Sequence, residues 1–241
     1  VLAWGLLGSG PHQLRTFVDG ADLGAVEFEV ATIGDGFVKG LEGEYELADF
    51  PASDESVRVT WSEADQNFLI TGYDTGGGFG DVGLDFSDTP GNGNFPEAGA
   101  SVGGARHESP AHRSIQSGVG LIRGWACEAE SVAVSIDGGA MIPVAYGTSR
   151  GDTEAVCGDA DNGYGMVFAW GLLGNGVHRM QTFVNGVEIA DVEFEVVAIG
   201  DGFVRGLEGT YNLPGFPATN ESIDIRWSEP DQNFRMIRYN Q

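Results

Sequence analysis

Short apolar runs that alternate with polar positions recur along the chain, and turn-forming residues separate them. Three such runs follow one another at residues 120–127, 131–138 and 141–146. Alternation with a period of two places one face of a strand in a core and the other toward solvent, so each run predicts a β-strand. The pattern therefore predicts many short strands and few long helices.

The clearest local signal lies further along, where a strand from His178 to Val184 ends at Asn185-Gly186. Both turn residues tolerate positive φ, which is typical of a tight hairpin, and the second strand of that hairpin is predicted to run to about Val197. Residues 202–213, 222–227 and 234–239 predict three more strands. Short strands at this spacing favour an all-β sandwich.

An internal repeat organises the chain. Residues 1–74 align with residues 167–240 without a gap, and about 43 of the 74 positions are identical. A strand-rich block at residues 117–166 precedes only the second copy. We therefore predict a partial β-sandwich repeat at 1–74, a Gly/Asp/Pro-rich linker at 75–116, and a complete repeat with a C-terminal β extension at 117–241. The first copy then lacks its N-terminal strands, and we expect the chain to be a fragment or a processed form.

Composition narrows the class of partner. The chain has 12 Lys and Arg against 36 Asp and Glu, a formal net charge of −24. Such a surface repels a polyanion, so nucleic acid is excluded as a partner. No apolar run reaches the length of a membrane span. The acidic surface suits salty water or divalent cations.

The two cysteines, Cys127 and Cys157, form an even pair about 30 residues apart. A metal site needs more ligands than two, and a pair of this kind in an acidic, glycine-rich β protein favours one disulfide in an exported protein. We predict this disulfide and a secreted or cell-surface location.

Several motifs of the second copy occur in a fixed order. They are Gly-Leu-Ile-Arg-Gly-Trp-Ala-Cys at 120–127, Val-Ser-Ile-Asp-Gly at 134–138, Ala-Tyr-Gly-Thr-Ser-Arg-Gly-Asp at 145–152, Asn-Gly-Tyr-Gly at 162–165, and Leu-Leu-Gly-Asn-Gly-Val-His-Arg at 172–179. This order resembles bacterial immunoglobulin-like modules of secreted and cell-surface proteins. The resemblance covers about residues 117–197. It implies tandem immunoglobulin-like β-sandwich repeats that are extracellular and non-catalytic. Residues 200–240 lie outside it and either add strands to the same sandwich or form their own subdomain.

The best cluster of oxygen ligands lies between the second cysteine and the next strand. Asp159, Asp161 and Asn162 stand close together before a glycine, and Asp152 is near in sequence. Calcium prefers six to eight oxygen ligands, so a Ca²⁺ site is one interpretation. The run lacks the closing glutamate of an EF-hand loop, and Asp, Asn and Gly are common turn residues, so a plain loop held by the disulfide is the other.

Aromatic residues raise the question of sugar binding. The strand tryptophans alternate with polar residues, which predicts that they lie in the core. Tyr146 and Tyr164 flank the loop at 147–165 and are the aromatic pair expected to be exposed and available to a ligand.

Together these features predict a non-catalytic extracellular repeat segment that acts as a spacer or as an adhesion or binding module with a protein or glycan partner. The alternative is a carbohydrate-binding accessory module or a fragment of a carbohydrate-active enzyme. The chain contains the second half of the repeat twice, at 1–74 and 167–240, but its first half only once, at about 117–166. Either second half could pair with that first half, so we also predict a homodimer or strand exchange if this is the whole native chain.

Overall fold

The computed structural model describes residues 7–33, 38–63, 66–76, 104–200 and 202–241. Strands dominate these ranges, so the predicted all-β class is confirmed. The strands of the first copy are β1 (Gly10–Val18), β2 (Ala21–Val30), β3 (Glu44–Ala48), β4 (Ser56–Ser62) and β5 (Asn67–Asp74). Those that follow are β6 (Ala105–Ser109), β7 (Ile115–Gln116), β8 (Val119–Ala126), β9 (Val132–Ile136), β10 (Ile142–Thr148) and β11 (Gly163–Ala169). The second copy supplies β12 (Gly176–Val184), β13 (Val187–Val196), β14 (Thr210–Pro214), β15 (Ser222–Ser228) and β16 (Asn233–Asn240).

Helical segments are short. Helix α1 spans Glu154–Cys157, and 3₁₀ turns cover Trp170–Leu173 and Glu229–Asp231. In the described part of the chain, no helix has the length and apolar character that crossing a bilayer requires.

Eight strands form one sheet in the order β6-β8-β11-β10-β9-β12-β13-β7. Strand β10 pairs with β9 through Ile142–Val144 and with β11 through Ala145–Thr148, with a register shift after Tyr146. The sheet folds over on itself, and His107 of β6 contacts Thr182 of β12. The result is a sandwich-like layer pair around a core that includes Ile122, Trp170 and Phe194.

The turn chemistry explains the hairpins of this sheet. Asn185 and Gly186 have φ of 50° and 77°, and Asp137 and Gly138 have φ of 52° and 69°. Positive φ at both central residues gives the turn whose twist matches the flanking strands. The hairpin predicted at Asn185-Gly186 is therefore confirmed.

The two repeats meet through a pair of three-stranded sheets, β3-β4-β5 and β14-β15-β16. The contacts are reciprocal between residues 166 positions apart. Phe216 packs on Trp61, and Phe50 packs on Trp227. The hydroxyl of Tyr45 donates to the Pro214 carbonyl, and that of Tyr211 donates to the Ala48 carbonyl. A pseudo-two-fold axis thus relates the sheets, as in an isologous interface.

This core resolves the open question about residues 200–240. Strands β14, β15 and β16 form a sheet of their own and do not extend the eight-stranded sheet. Residues 203–209 are not strand, so the strand predicted at 202–213 is correct only from Thr210 onward.

The predicted linker at 75–116 extends too far toward the C-terminus. Strands β6 and β7 lie inside it, and β6 pairs with β8 while β7 pairs in parallel with β13. Ala105 and His107 are buried there, so the segment contributes to the core despite its Gly- and Pro-rich surroundings. Residues 77–103 of that prediction lie outside the described residues.

Candidate functional site

An open cleft of about 550 Å³ lies on the eight-stranded sheet, where the ends of four elements converge. Strand β6 contributes Arg106, His107 and Glu108, β8 contributes Arg123, and β11 contributes Tyr164. The end of β10 and the loop after it contribute Thr148, Ser149, Arg150 and Asp152. We call this surface the arginine cleft, because three of the chain's 12 basic residues line it.

The pairing of β6 with β8 and of β8 with β11 places Gly124 opposite both His107 and Tyr164. A Cβ atom at Gly124 would lie 2.2 Å from the Arg106 carbonyl oxygen and 2.3 Å from the Tyr164 hydroxyl. Only glycine leaves room for the tyrosine ring to cross this strand.

His107 forms the floor of the arginine cleft and is only 3% exposed. Its Nε2 lies 3.1 Å from the Pro110 carbonyl oxygen, and its Nδ1 lies 3.1 Å from Thr182 Oγ1 and 3.2 Å from the Tyr164 hydroxyl. A carbonyl only accepts, so Nε2 carries the proton and Nδ1 accepts one from a hydroxyl. Burial lowers the pKa of His107 to about 4, so the ring is neutral near pH 7.

Tyr164 was predicted to be exposed, and that prediction is wrong. It is 2% exposed, its hydroxyl reaches the Arg106 carbonyl at 3.3 Å, and burial raises its pKa above the usual value. Because Gly124 has no side chain, the Tyr164 ring fits inside the sheet beside it. Tyr146 is half-buried, and its hydroxyl donates to the Ala126 carbonyl at 2.8 Å. The tyrosines therefore do not form a pair of exposed sugar-stacking faces.

Arg150 anchors one wall of the arginine cleft. Its Nη1 donates to Glu108 Oε2 at 2.6 Å, and its Nε donates to Asp152 Oδ1 at 2.9 Å. These contacts hold the pKa of Asp152 below its usual value, chiefly through the Arg150 hydrogen bonds, and raise that of Arg150. Arg150 thus pairs with both carboxylates that line the arginine cleft, and the three arginines and two carboxylates of the lining leave a formal charge of +1 there.

Arg106 and Arg123 remain without a counter-charge, because neither forms an ion pair within the described ranges. The Nε of Arg123 is buried and has no acceptor there. In a chain of net charge −24, this is a local excess of positive charge. Guanidinium groups of this kind bind carboxylate, sulfate or phosphate oxygens through charge-assisted hydrogen bonds.

The predicted disulfide is confirmed, with Cys127 joined to Cys157 across a Cα–Cα distance of 5.1 Å. It ties the end of β8 to α1, and the loop between Arg150 and Ala160 closes through a backbone hydrogen bond of 2.6 Å. The wall that carries Arg150 is therefore cross-linked to the strand that carries Arg123.

The residues of the calcium prediction lie along this same loop, and side-chain oxygens of Asp152, Asp159 and Asn162 are already hydrogen-bonded. Asp159 Oδ1 accepts from the Asp161 backbone N–H at 3.0 Å, and the Asn162 side-chain oxygen accepts from the Thr153 hydroxyl. Asp152 pairs with Arg150 instead of facing these residues. Within the described ranges, no cluster of three or more His, Cys, Asp or Glu side chains is arranged to hold a metal ion. Calcium binding stays a prediction.

Sequence reasoning missed Arg106, Arg123 and His107. The available signal was the placement of several arginines near one another in a chain poor in basic residues. The tryptophan prediction, by contrast, holds for Trp61, Trp125, Trp170 and Trp227, which are all at most 8% exposed. Trp4 lies outside the described residues.

No protein-family model matches the sequence, and comparisons with curated proteins and with solved structures give no match.

Proposed function

We propose that this chain is a non-catalytic binding module of a secreted or cell-surface protein, and that it binds an anionic group in the arginine cleft. The observation that carries the proposal is the pair of guanidinium groups, Arg106 and Arg123, without counter-charges in a strongly acidic protein. Long-range repulsion excludes large polyanions, so the ligand presents one or a few negative groups at its tip.

The proposed ligand is a carboxylate- or sulfate-bearing glycan, which develops the carbohydrate-binding alternative. The arginine cleft is large enough for one or two sugar rings and is lined mainly by polar groups. Recognition by charge replaces the aromatic stacking that Tyr146 and Tyr164 were predicted to provide. An acidic side chain of an extracellular protein partner presents similar chemistry and serves as a comparison in the test.

The rest of the proposal concerns the scaffold. The disulfide supports an oxidising, extracellular location. The reciprocal packing of the two three-stranded sheets supports a spacer role as well, because it joins the two repeats through one core. We retain immunoglobulin-like tandem repeats as the proposed family type, and the homodimer or strand exchange stays a prediction.

The test is calorimetric titration of the full chain with oligosaccharides matched in length that are neutral, uronate-containing or sulfated, and with an acidic peptide. We expect the charged sugars to bind and the neutral sugar not to bind. Their affinity falls as NaCl is raised, since screening weakens exposed charge contacts. Equal affinity for neutral and charged sugars would contradict the proposal. Binding of the acidic peptide alone would show that the ligand is an acidic protein segment and not a glycan.

A further inference from the structure

The β1-β2 hairpin of the first copy has the same architecture as the β12-β13 hairpin of the second. Each strand pair keeps the same register, with the same shift at Thr16/Phe17 and at Thr182/Phe183. The surroundings differ. The first hairpin forms a two-stranded sheet by itself, and the second lies inside the eight-stranded sheet.

Burial shows the consequence of this difference. Leu14 and Val26 face each other across the first hairpin and are 48% and 65% exposed. Their counterparts, Met180 and Val192, are 0% and 2% exposed. Val18 lies on the same face as Leu14 and is 52% exposed, so this face of the first hairpin is an open apolar surface of the kind that marks an interaction site.

In the second copy, the corresponding face packs in one buried cluster with Ile122 of β8, and the edge of the hairpin is paired with β9. Strand β9 runs antiparallel along β12, with Ile136 opposite Met180 and Val132 opposite Val184. The corresponding edge of β1, from Leu14 to Val18, has no strand beside it among the described residues. A free edge next to an apolar face is a template for strand addition.

The polar contacts between β12 and the residue after β9 indicate which polar groups a strand paired with β1 would supply. Asp137, which follows β9, accepts from the Arg179 backbone N–H at 2.9 Å and contacts His178 Nδ1 at 2.8 Å. His12 occupies the position of His178 in the first hairpin and already reproduces the contact of His178 Nε2 with a glycine carbonyl. Its Nδ1 matches the atom that Asp137 binds in the second copy.

The turn and the middle of the first hairpin also carry polar groups that match those of the second hairpin. Asn185 Oδ1 accepts from the backbone N–H groups of Glu130 and Ser131, and Asp19 supplies a side-chain oxygen at the equivalent turn position with φ of 49° against 50°. Thr182, whose hydroxyl contacts His107, corresponds to Thr16. The first hairpin thus retains both the apolar and the polar half of the interface.

We propose that the β1-β2 hairpin is a docking surface for a strand block of the same chemistry as residues 105–137, which adds a β9-like edge strand to β1 and covers Leu14 and Val26. This inference does not depend on the arginine cleft. A second copy of this chain fits less well, because its own β9 is already paired with β12 and an exchange would uncover one hairpin to cover another.

The test is amide hydrogen exchange of the full chain, alone and with residues 104–166 duplicated ahead of residue 1. This reproduces the order in which that block precedes residue 167. In the unextended chain, we expect residues 10–30 to exchange at least 100-fold faster than residues 176–196. In the extended chain, the first hairpin becomes protected to within about tenfold of the second.

The matched control carries Val134→Asp and Asp137→Ala only in the added block, and there the protection is lost. The proposal would be overturned by an added block that is protected while the hairpin is not, by an added block that stays unprotected, or by a hairpin in the unextended chain that is protected at every concentration. Protection of the unextended chain that rises with concentration would also overturn it and assign the face to a second copy.

Discussion

The buried His107 makes folding stability depend on pH in a predictable direction. The pKa of this residue falls from 6.5 to about 4 in the folded state, chiefly through burial. Between these values the unfolded chain binds the proton and the folded chain does not. Stability is therefore fully present above about pH 6.5 and is lost as the pH falls toward 4. At about 1.4 kcal/mol per pKa unit, the loss amounts to about 3 kcal/mol.

The assay is urea denaturation, followed by tryptophan fluorescence, of the natural chain and of His107→Gln between pH 4 and pH 7.5. Glutamine keeps a donor and an acceptor but does not titrate in this range. Acidic residues elsewhere titrate similarly in both proteins, so subtracting one profile from the other isolates the histidine. We expect the natural chain to lose about 3 kcal/mol relative to the variant between pH 6.5 and pH 4. Parallel profiles would refute the argument that burial keeps this ring neutral.

Three further predictions follow from the fold. Phe216→Ala, which removes contacts with Trp61, is expected to destabilise the chain by about 3–5 kcal/mol in urea, and Phe50→Ala by a similar amount; strongly unequal losses would contradict the reciprocal packing. Replacing Cys127 and Cys157 by serine is expected to cost about 3–4 kcal/mol for a loop of this length, and an unchanged denaturation midpoint would count against it. If the loop that carries the predicted calcium ligands binds Ca²⁺, then calcium at 100 times its Kd adds about 2.7 kcal/mol in a thermal melt after chelation; a rise no larger than that in NaCl of matched ionic strength would remove the calcium prediction.

The strands and turns were predictable because their signals are local. The Asn185-Gly186 hairpin follows from two adjacent residues that accept positive φ, and the alternation at 131–138 marks β9. The disulfide followed from the parity of the cysteines. None of these features requires knowledge of which strands are neighbours in space.

The arginine cleft and the repeat interface depend on long-range pairing, so they were not predictable in the same way. Tyr164 turns inward because Gly124, on a neighbouring strand, leaves space for its ring. Arg106 and Arg123 become neighbours only when β6 joins β8, and β6 lies in a segment whose composition favoured a linker. The repeat was visible in the sequence, but the packing of Phe50 on Trp227 and of Phe216 on Trp61 was not.

The central claim is that Arg106 and Arg123 bind the negative group of a ligand. The most direct measurement is calorimetric titration of a uronate oligosaccharide into the natural chain, into the double variant Arg106→Gln/Arg123→Gln, and into the control Arg226→Gln. Arg226 is exposed on β15, away from the arginine cleft, so the control removes a positive charge without altering the site. A charge-assisted hydrogen bond contributes about 1.5–3 kcal/mol, so the double variant is expected to bind at least about tenfold more weakly while the control binds as the natural chain does. Equal losses in both variants, or no loss in the double variant, would contradict the account.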